Sequence, residues 1–77
     1  MKILKIKTSR TSAGFTAWLD DDPSKKATST SSDHMAAENL ALRVFAGHNN
    51  RAQLSEEVLS KIVVKRANGG TFRATYG

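Results

Sequence analysis

Apolar and polar residues alternate along this chain with two different periods, and these periods predict its elements. Residues 2–7, KILKIK, and residues 15–20, FTAWLD, alternate with period two, which is typical of a half-buried β-strand. In residues 33–45, DHMAAENLALRVF, apolar side chains recur every three or four positions, as they do on an amphipathic helix. The pattern therefore predicts two opening strands followed by one long helix.

Signals at both ends define the limits of this helix. Ser32 or Asp33 can act as the N-cap, because a short side-chain oxygen accepts a hydrogen bond from an otherwise unpaired backbone N–H. Gly47 is a natural stop, because glycine enters the left-handed conformation without steric cost. The face predicted to lie on a sheet consists of Ala37, Leu40, Ala41 and Val44.

A second apolar stripe runs along the other side of this helix through Met35, Leu42 and Ala46. A helix on the surface of a two-layer domain does not need such a stripe. One interpretation is that a loop or a second helix covers it. The other is a partner contact centred on Met35, Leu42 and Phe45, or a homodimer formed through Met35 and Leu42.

The remaining segments of the first two thirds are polar. Residues 8–14, TSRTSAG, predict a loop in which Arg10 is a candidate to contact an anion. Residues 20–23, DDDP, predict a turn, and residues 48–53 predict a linker. Residues 27–31, ATSTS, fit either a short edge strand beside the second strand or a loop.

The C-terminal residues predict a β-hairpin, with strands 61–66 and 71–76 on either side of the sequence ANGG. A two-residue loop would mix apolar and polar faces, whereas a three-residue loop at 68–70 keeps them apart. The apolar pairs of that register are Val64 with Ala74 and Ile62 with Tyr76. It also places Lys65 opposite Arg73, an unfavourable pair that a bound anion would relieve.

Together with a short second helix at residues 55–60, SEEVLS, these elements predict a single α+β domain of 77 residues. Its layout is β-β-(β)-α-α-β-β, with two layers and an antiparallel sheet packed on one main helix. The inner face is predicted to carry Leu4, Ile6, Phe15, Ala17, Leu19, Ile62, Val64, Phe72, Ala74 and Tyr76. The outer face is predicted to carry Ile3, Lys5, Lys7, Thr16, Trp18, Val63, Lys65, Thr71, Arg73 and Thr75.

Composition adds a charge argument and removes several classes of chemistry. Twelve Lys and Arg against seven Asp and Glu give a net charge of +5, which favours an anionic partner. The chain has no Cys, which excludes thiolate metal sites and a Cys nucleophile. The DDDP turn lacks the spacing of a calcium loop, and neither His34 nor His48 has a nucleophile or an orienting partner. We therefore expect no enzyme activity, no metal and no cofactor.

The N-terminal sequence MKILKIKTSR lacks the apolar run of a signal peptide, and no stretch is long enough to span a bilayer. These features predict a cytoplasmic protein without membrane contact.

Three interpretations of the surface follow, of which a protein-interaction or inhibitor role is the leading hypothesis and nucleic-acid binding the alternative. The outer face can be an ordinary solvated sheet face. It can bind DNA or RNA, with basic side chains at phosphates and Trp18 stacked on a base; the candidate residues are Lys5, Lys7, Arg10, Lys65 and Arg73. The chain can also bind a protein partner; the candidate residues are Trp18, Met35, Leu42 and Phe45.

The order of KILKIK, FTAWLD, a helix around AAENLALRVF and a KIVVKR–NGG–TFRATY hairpin resembles the small α+β proteins of phages and mobile elements, including some anti-CRISPR proteins. The resemblance covers the whole chain as an order of elements. It implies a non-enzymatic protein-interaction or inhibitor role. Because the chain is basic, that role would be to block a protein surface, such as a subunit of a CRISPR effector complex, and not to mimic a nucleic acid.

Overall fold

The computed structural model describes residues 2–47 and 54–77, so the predicted linker at 48–53 lies outside the described residues. The elements in chain order are β1 (Lys2–Thr11), β2 (Gly14–Leu19), β3 (Lys26–Ser29), α1 (Asp33–Ala46), α2 (Glu56–Lys61), β4 (Ile62–Asn68) and β5 (Thr71–Tyr76). The strands form one antiparallel five-stranded sheet in the order β3-β2-β1-β5-β4. One face of the sheet packs on α1, so the predicted α+β class and two-layer architecture are confirmed. Within the described ranges, neither helix is long and apolar enough to cross a membrane.

The main helix begins and ends at the predicted signals. The Ser32 hydroxyl accepts a hydrogen bond from the Met35 backbone N–H at 3.1 Å. Gly47 takes the left-handed conformation, with φ of 72°, and its N–H donates to the Arg43 carbonyl. The short helix α2 likewise begins after Ser55, whose hydroxyl accepts from the Val58 N–H.

The core lies between α1 and the inner face of the sheet. Its largest fully buried side chains are Phe72, Ile6 and Leu40. Small residues bring helix and sheet close together: Ala17, Ala27, Ala36, Ala37, Ala41 and Ala74 are all buried. The alternation in the sequence therefore identified the inner face correctly.

The segment predicted as a loop at residues 8–14 is mostly strand, so that prediction was wrong. β1 continues to Thr11 and pairs with β2 as far as Gly14, leaving a two-residue turn. Thr8 also bonds to the turn before β5 on the other side of β1. Its N–H and its hydroxyl both donate to the Gly70 carbonyl, at 2.8 and 2.7 Å. These tertiary hydrogen bonds and the β-compatible threonines outweigh the polar composition of the segment.

The predicted register of the C-terminal hairpin is confirmed, but its loop differs. Val64 pairs with Ala74 and Lys65 pairs with Arg73, as expected. A bulge at Ala67 shifts the register, so the hairpin closes through a two-residue turn at 69–70 in place of the predicted three-residue loop. The extra residue keeps the apolar face intact while β4 continues to Asn68.

Two contacts that the sequence left open are settled by the structure. Residues 26–29 form the edge strand β3, which pairs with β2. The two hairpins join because β1 pairs with β5 along six residue pairs, from Lys2 with Tyr76 to Lys7 with Thr71. The outer face is therefore one continuous surface across five strands.

Candidate functional site

Three basic side chains lie side by side across the middle of the outer face. Arg73 on β5 pairs with Lys5 on β1 and, on its other side, with Lys65 on β4. We call these three residues the cationic row. Residues directly opposite on adjacent strands have Cβ atoms about 5 Å apart, and like charges at that spacing destabilise the sheet. All three residues are exposed.

A second line of side chains crosses the face two residues further along the strands. Trp18 on β2 pairs with Lys7 on β1 and with Lys26 on β3. Its neighbours Ala17 and Leu19 are buried against the helix, so the half-buried indole belongs to the outer face, as predicted. A depression of about 370 Å³ adjoins the indole; it is lined by Ser9, Thr11, Thr16, Trp18, Pro23 and Lys26.

One carboxylate interrupts this basic surface. Asp20 lies 3.1 Å from the Lys7 ammonium and 3.9 Å from that of Lys5, both measured between nitrogen and carboxylate oxygen. The contacts are solvent-exposed, so they contribute little to stability. In the adjoining turn, the Ser24 hydroxyl donates to Asp22 at 2.6 Å and holds the pKa of that carboxyl below its usual value. The turn at 20–22 is therefore an acidic border beside Trp18.

An exposed apolar pair flanks the cationic row on its other side. Ile3 pairs with Thr75, which pairs in turn with Val63. The side chains of Ile3 and Val63 are 60% and 41% exposed. The outer face therefore has an apolar end, a basic middle and an aromatic end.

Arg10, the remaining candidate anion contact, does not join this group. It pairs with Phe15 on the helix-facing side of the sheet, and its guanidinium lies 5.9 Å from the centroid of that ring. Strand alternation places Arg10 on the face opposite Lys5 and Lys7, because Arg10 follows the buried Ile6 by four positions, an even offset. The structure therefore brings together four of the five predicted basic candidates.

The predicted partner contact on the helix is not a continuous exposed surface. Leu42 is only 3% exposed and lines a small cleft with Leu59 of α2 and Ile62 of β4. The burial of Leu42 agrees with the interpretation that other parts of the chain cover this stripe. A homodimer through Met35 and Leu42 therefore lacks one of its two anchors.

The other proposed anchors are divided between the two layers. Met35 is half-buried, and the ring of Phe45 packs on Tyr76 with centroids 5.4 Å apart. Trp18 lies on the opposite side of the sheet. One partner surface cannot contain Trp18 and the helix stripe together.

Side chains of α1 cover both edges of the sheet. Asn39 donates to the Thr28 carbonyl of β3 at 3.0 Å, and Arg43 donates to the Lys26 carbonyl of the same strand. At the opposite edge of the sheet, the ring nitrogen Nε2 of His34 lies 3.2 Å from the carbonyl oxygen of Val64 on β4. Edge groups that are already hydrogen-bonded are poor templates for an added strand. These contacts occupy part of each edge, whereas no element packs on the outer face among the described residues.

Lys26 is the residue of this surface that sequence reasoning missed. The sequence did not decide between a strand and a loop for residues 27–31, so it did not assign Lys26 to either face of the sheet. The available signal was the alternation of Lys26, Ala27 and Thr28, which places the first and third on the face opposite a buried alanine.

Metal and histidine chemistry receive no support from the geometry. Among residues 2–47 and 54–77, no group of three or more His, Asp or Glu could hold a metal ion. His34 is held in place by its contact with Val64, by Glu38 at 3.9 Å and by an edge-on contact with Phe72 at 5.6 Å between centroids. The contacts with Val64 and Phe72 join α1 to the sheet, and the contact with Glu38 lies within α1.

The fold and this surface define a small α+β protein with a basic outer sheet face. No protein-family model matches the chain, and comparisons with curated proteins and with solved structures find no match.

Proposed function

We propose that this protein binds nucleic acid through the outer face of its sheet, with the cationic row contacting phosphates. The observation that carries the proposal is the row itself, which holds Lys5, Arg73 and Lys65 on three adjacent strands. Two like-charge pairs that share one residue are unfavourable for the free sheet. A bound polyanion turns that arrangement into a favourable one.

The layout of the charges favours a polymer over a small anion. From Lys65 on β4 to Lys26 on β3 the basic side chains span four strand spacings, or about 19 Å. They lie in two neighbouring rows, with Lys65, Arg73 and Lys5 in one and Lys7 and Lys26 in the other, and they do not converge on one point. A phosphate-sized ion could reach only one or two of them, whereas a phosphate backbone can contact several in turn.

Nucleic acid fits this surface better than a solvated face or the predicted protein contact. A sheet face that serves only solubility gains from mixing opposite charges across strands, yet among the described residues Asp20 is the single acidic side chain that pairs with the basic ones of this face. On α1, the protein contact predicted from the sequence is weakened because Leu42 is buried.

Binding should depend steeply on salt. We expect a fluorescently labelled single strand of about 15 nucleotides to bind at low salt, with the logarithm of the association constant falling linearly against the logarithm of salt concentration. Four phosphate contacts would give a slope of about −3 for a single strand. Fluorescence anisotropy at several salt concentrations measures this slope; absence of binding at the lowest salt would refute the proposal.

A protein partner of the inhibitor type is the second candidate, and one observation favours it. Ile3 and Val63, the exposed large hydrophobic residues of the described chain, lie together on the outer face around Thr75. Such a pair can anchor a protein surface. This role agrees with the resemblance to small phage and mobile-element proteins.

Affinity capture from a lysate of the host cell, run with and without nuclease, separates the two candidates. We expect nuclease to remove most of the captured material, because nucleic acid carries it. A protein that survives nuclease and is no longer captured when Ile3 and Val63 are both changed to serine would favour the second candidate. Changing Lys25→Gln provides a control at an exposed position in the β2–β3 turn.

A further inference from the structure

We infer that the depression beside Trp18 receives one unpaired base, so that the ligand is a single-stranded nucleic acid and not a duplex. This inference rests on the proposed function and names the class of ligand. It starts from the position of the indole between two lysines, Lys7 and Lys26, on the neighbouring strands.

The indole is available for stacking. It is half-buried, and among the described residues no aromatic ring or guanidinium packs on it. Its depression, of about 370 Å³, is at the small end of the range for ligand sites. A planar ring placed there would have the indole on one side and the Pro23 ring among its neighbours.

The rest of the lining suits the edge of a base better than an aliphatic side chain. Ser9, Thr11 and Thr16 line the depression, and a hydroxyl can donate or accept a hydrogen bond, although that of Thr11 already donates to the Gly14 carbonyl at 3.3 Å. Such groups tolerate different bases, because each can adapt to a donor or an acceptor. We therefore expect stacking with weak sequence preference.

The position of the cations explains why the strand must be single. Lys7 and Lys26 flank the indole at one strand spacing on each side, so a backbone that passes them brings its bases over Trp18. In a duplex the bases are stacked and paired, so a base would have to leave the helix, at a cost in free energy, before it could lie against the indole. Only an unpaired base can turn onto the indole.

Because Trp18 is the only tryptophan of the chain, its fluorescence reports the site directly. The probes are a ten-nucleotide oligothymidylate, a duplex of the same length and a polyglutamate of similar charge. We expect the single strand to quench Trp18 emission and to bind at least tenfold more tightly than the duplex. Equal affinity for the two DNA forms, absence of quenching or tighter binding of polyglutamate would overturn the inference.

Variants of Trp18 separate this inference from the proposed function. We expect Trp18→Ala to weaken single-strand binding by about 5- to 100-fold, because stacking on an aromatic side chain accounts for that range. Trp18→Phe keeps a ring and should stay within about threefold of the wild type. The salt slope should not change in either variant, because no charge is removed.

The outcomes are distinct. If Trp18→Ala binds like the wild type and keeps its salt slope, the base site is wrong while backbone binding by the cationic row stands. If no oligonucleotide binds at low salt, both ideas fail. Circular dichroism and thermal melting confirm that each variant is folded, and Ser60→Ala, at an exposed position on α2, is the control that should bind normally.

Discussion

Changing Lys5, Lys65 and Arg73 together to glutamine removes most of the affinity for nucleic acid and leaves the protein folded. Removal of one phosphate-binding charge reduces the salt slope of single-strand binding by about 0.7, so the slope of the triple variant should be shallower by about 2 units. At 0.1 M salt, this corresponds to affinity weakened by about 100-fold. Anisotropy titrations at several salt concentrations measure both quantities.

Stability provides an independent readout for the same variant. In the wild type, Arg73 lies between two like charges. Removing them relieves repulsion across two strand pairs, so the melting temperature should stay the same or rise. If these three residues stabilised the fold, their replacement would lower the melting temperature.

The matched control removes the same net charge from elsewhere. Arg10 lies on the helix-facing side of the sheet, Lys25 is exposed in the β2–β3 turn and Lys61 is exposed at the end of α2. Their combined change to glutamine should reduce affinity only slightly, through weaker long-range attraction. If this control reduces affinity and salt slope as much as the row variant does, total charge and not the row determines binding.

The second large effect is expected from Gly14→Ala, which should strongly destabilise the protein. A Cβ at this position would lie 2.6 Å from the Ser29 carbonyl oxygen, and its backbone φ of 133° is one that residues with side chains rarely adopt. Backbone strain and a backbone clash each cost about 1 to 3 kcal/mol. We expect the free energy of unfolding to fall by about 3 kcal/mol or more, which for a domain of this size lowers the melting temperature by at least about 12 °C.

Gly69→Ala is the control for this prediction. Gly69 also has a positive φ, of 51°, but nothing lies within 4 Å of the position that its Cβ would take. The strain of the left-handed conformation costs about 1 to 2 kcal/mol. If the two variants have equal melting temperatures, the close approach of β2 to Ser29 of β3 is not the reason that position 14 requires glycine.

Gly14→Ala also tests the candidate site. The clash pushes on Ser29, which pairs with Phe15 and belongs to the strand that places Lys26 beside Trp18. Displacing β3 should therefore alter Trp18 emission even without ligand. Unchanged emission in a destabilised variant would show that the surroundings of the indole do not depend on this contact.

The helix α1 links fold and surface. Its small residues pack closely on the inner face, and its polar side chains, Asn39, Arg43 and His34, reach the carbonyl groups of both edge strands. At its N-terminal end, Asp33 accepts from Arg66 of β4 at 3.0 Å, while the Arg66 guanidinium lies 4.6 Å from the Phe72 ring centroid. The inner face is covered by α1, so the outer face is the side of the sheet that remains open to a ligand.

Local chemistry in the sequence determined most of the individual elements. Ser32 and Gly47 set the ends of α1 because capping depends on one or two residues near each terminus. The register of the last hairpin followed from keeping Val64 and Ala74 on one apolar face. The strand extension through Thr11 escaped prediction, because its polar residues are held by neighbouring strands and not by a pattern of their own.

Tertiary structure alone decided how these elements form a surface. Pairing of β1 with β5 joins residues about 70 positions apart, and no local pattern encodes such a contact. That pairing sets Lys5 beside Arg73 and completes the cationic row. Likewise, packing buries Leu42 beside Leu59 and Ile62, and the edge strand β3 brings Lys26 to Trp18, because burial and neighbours on a sheet depend on the whole packed chain.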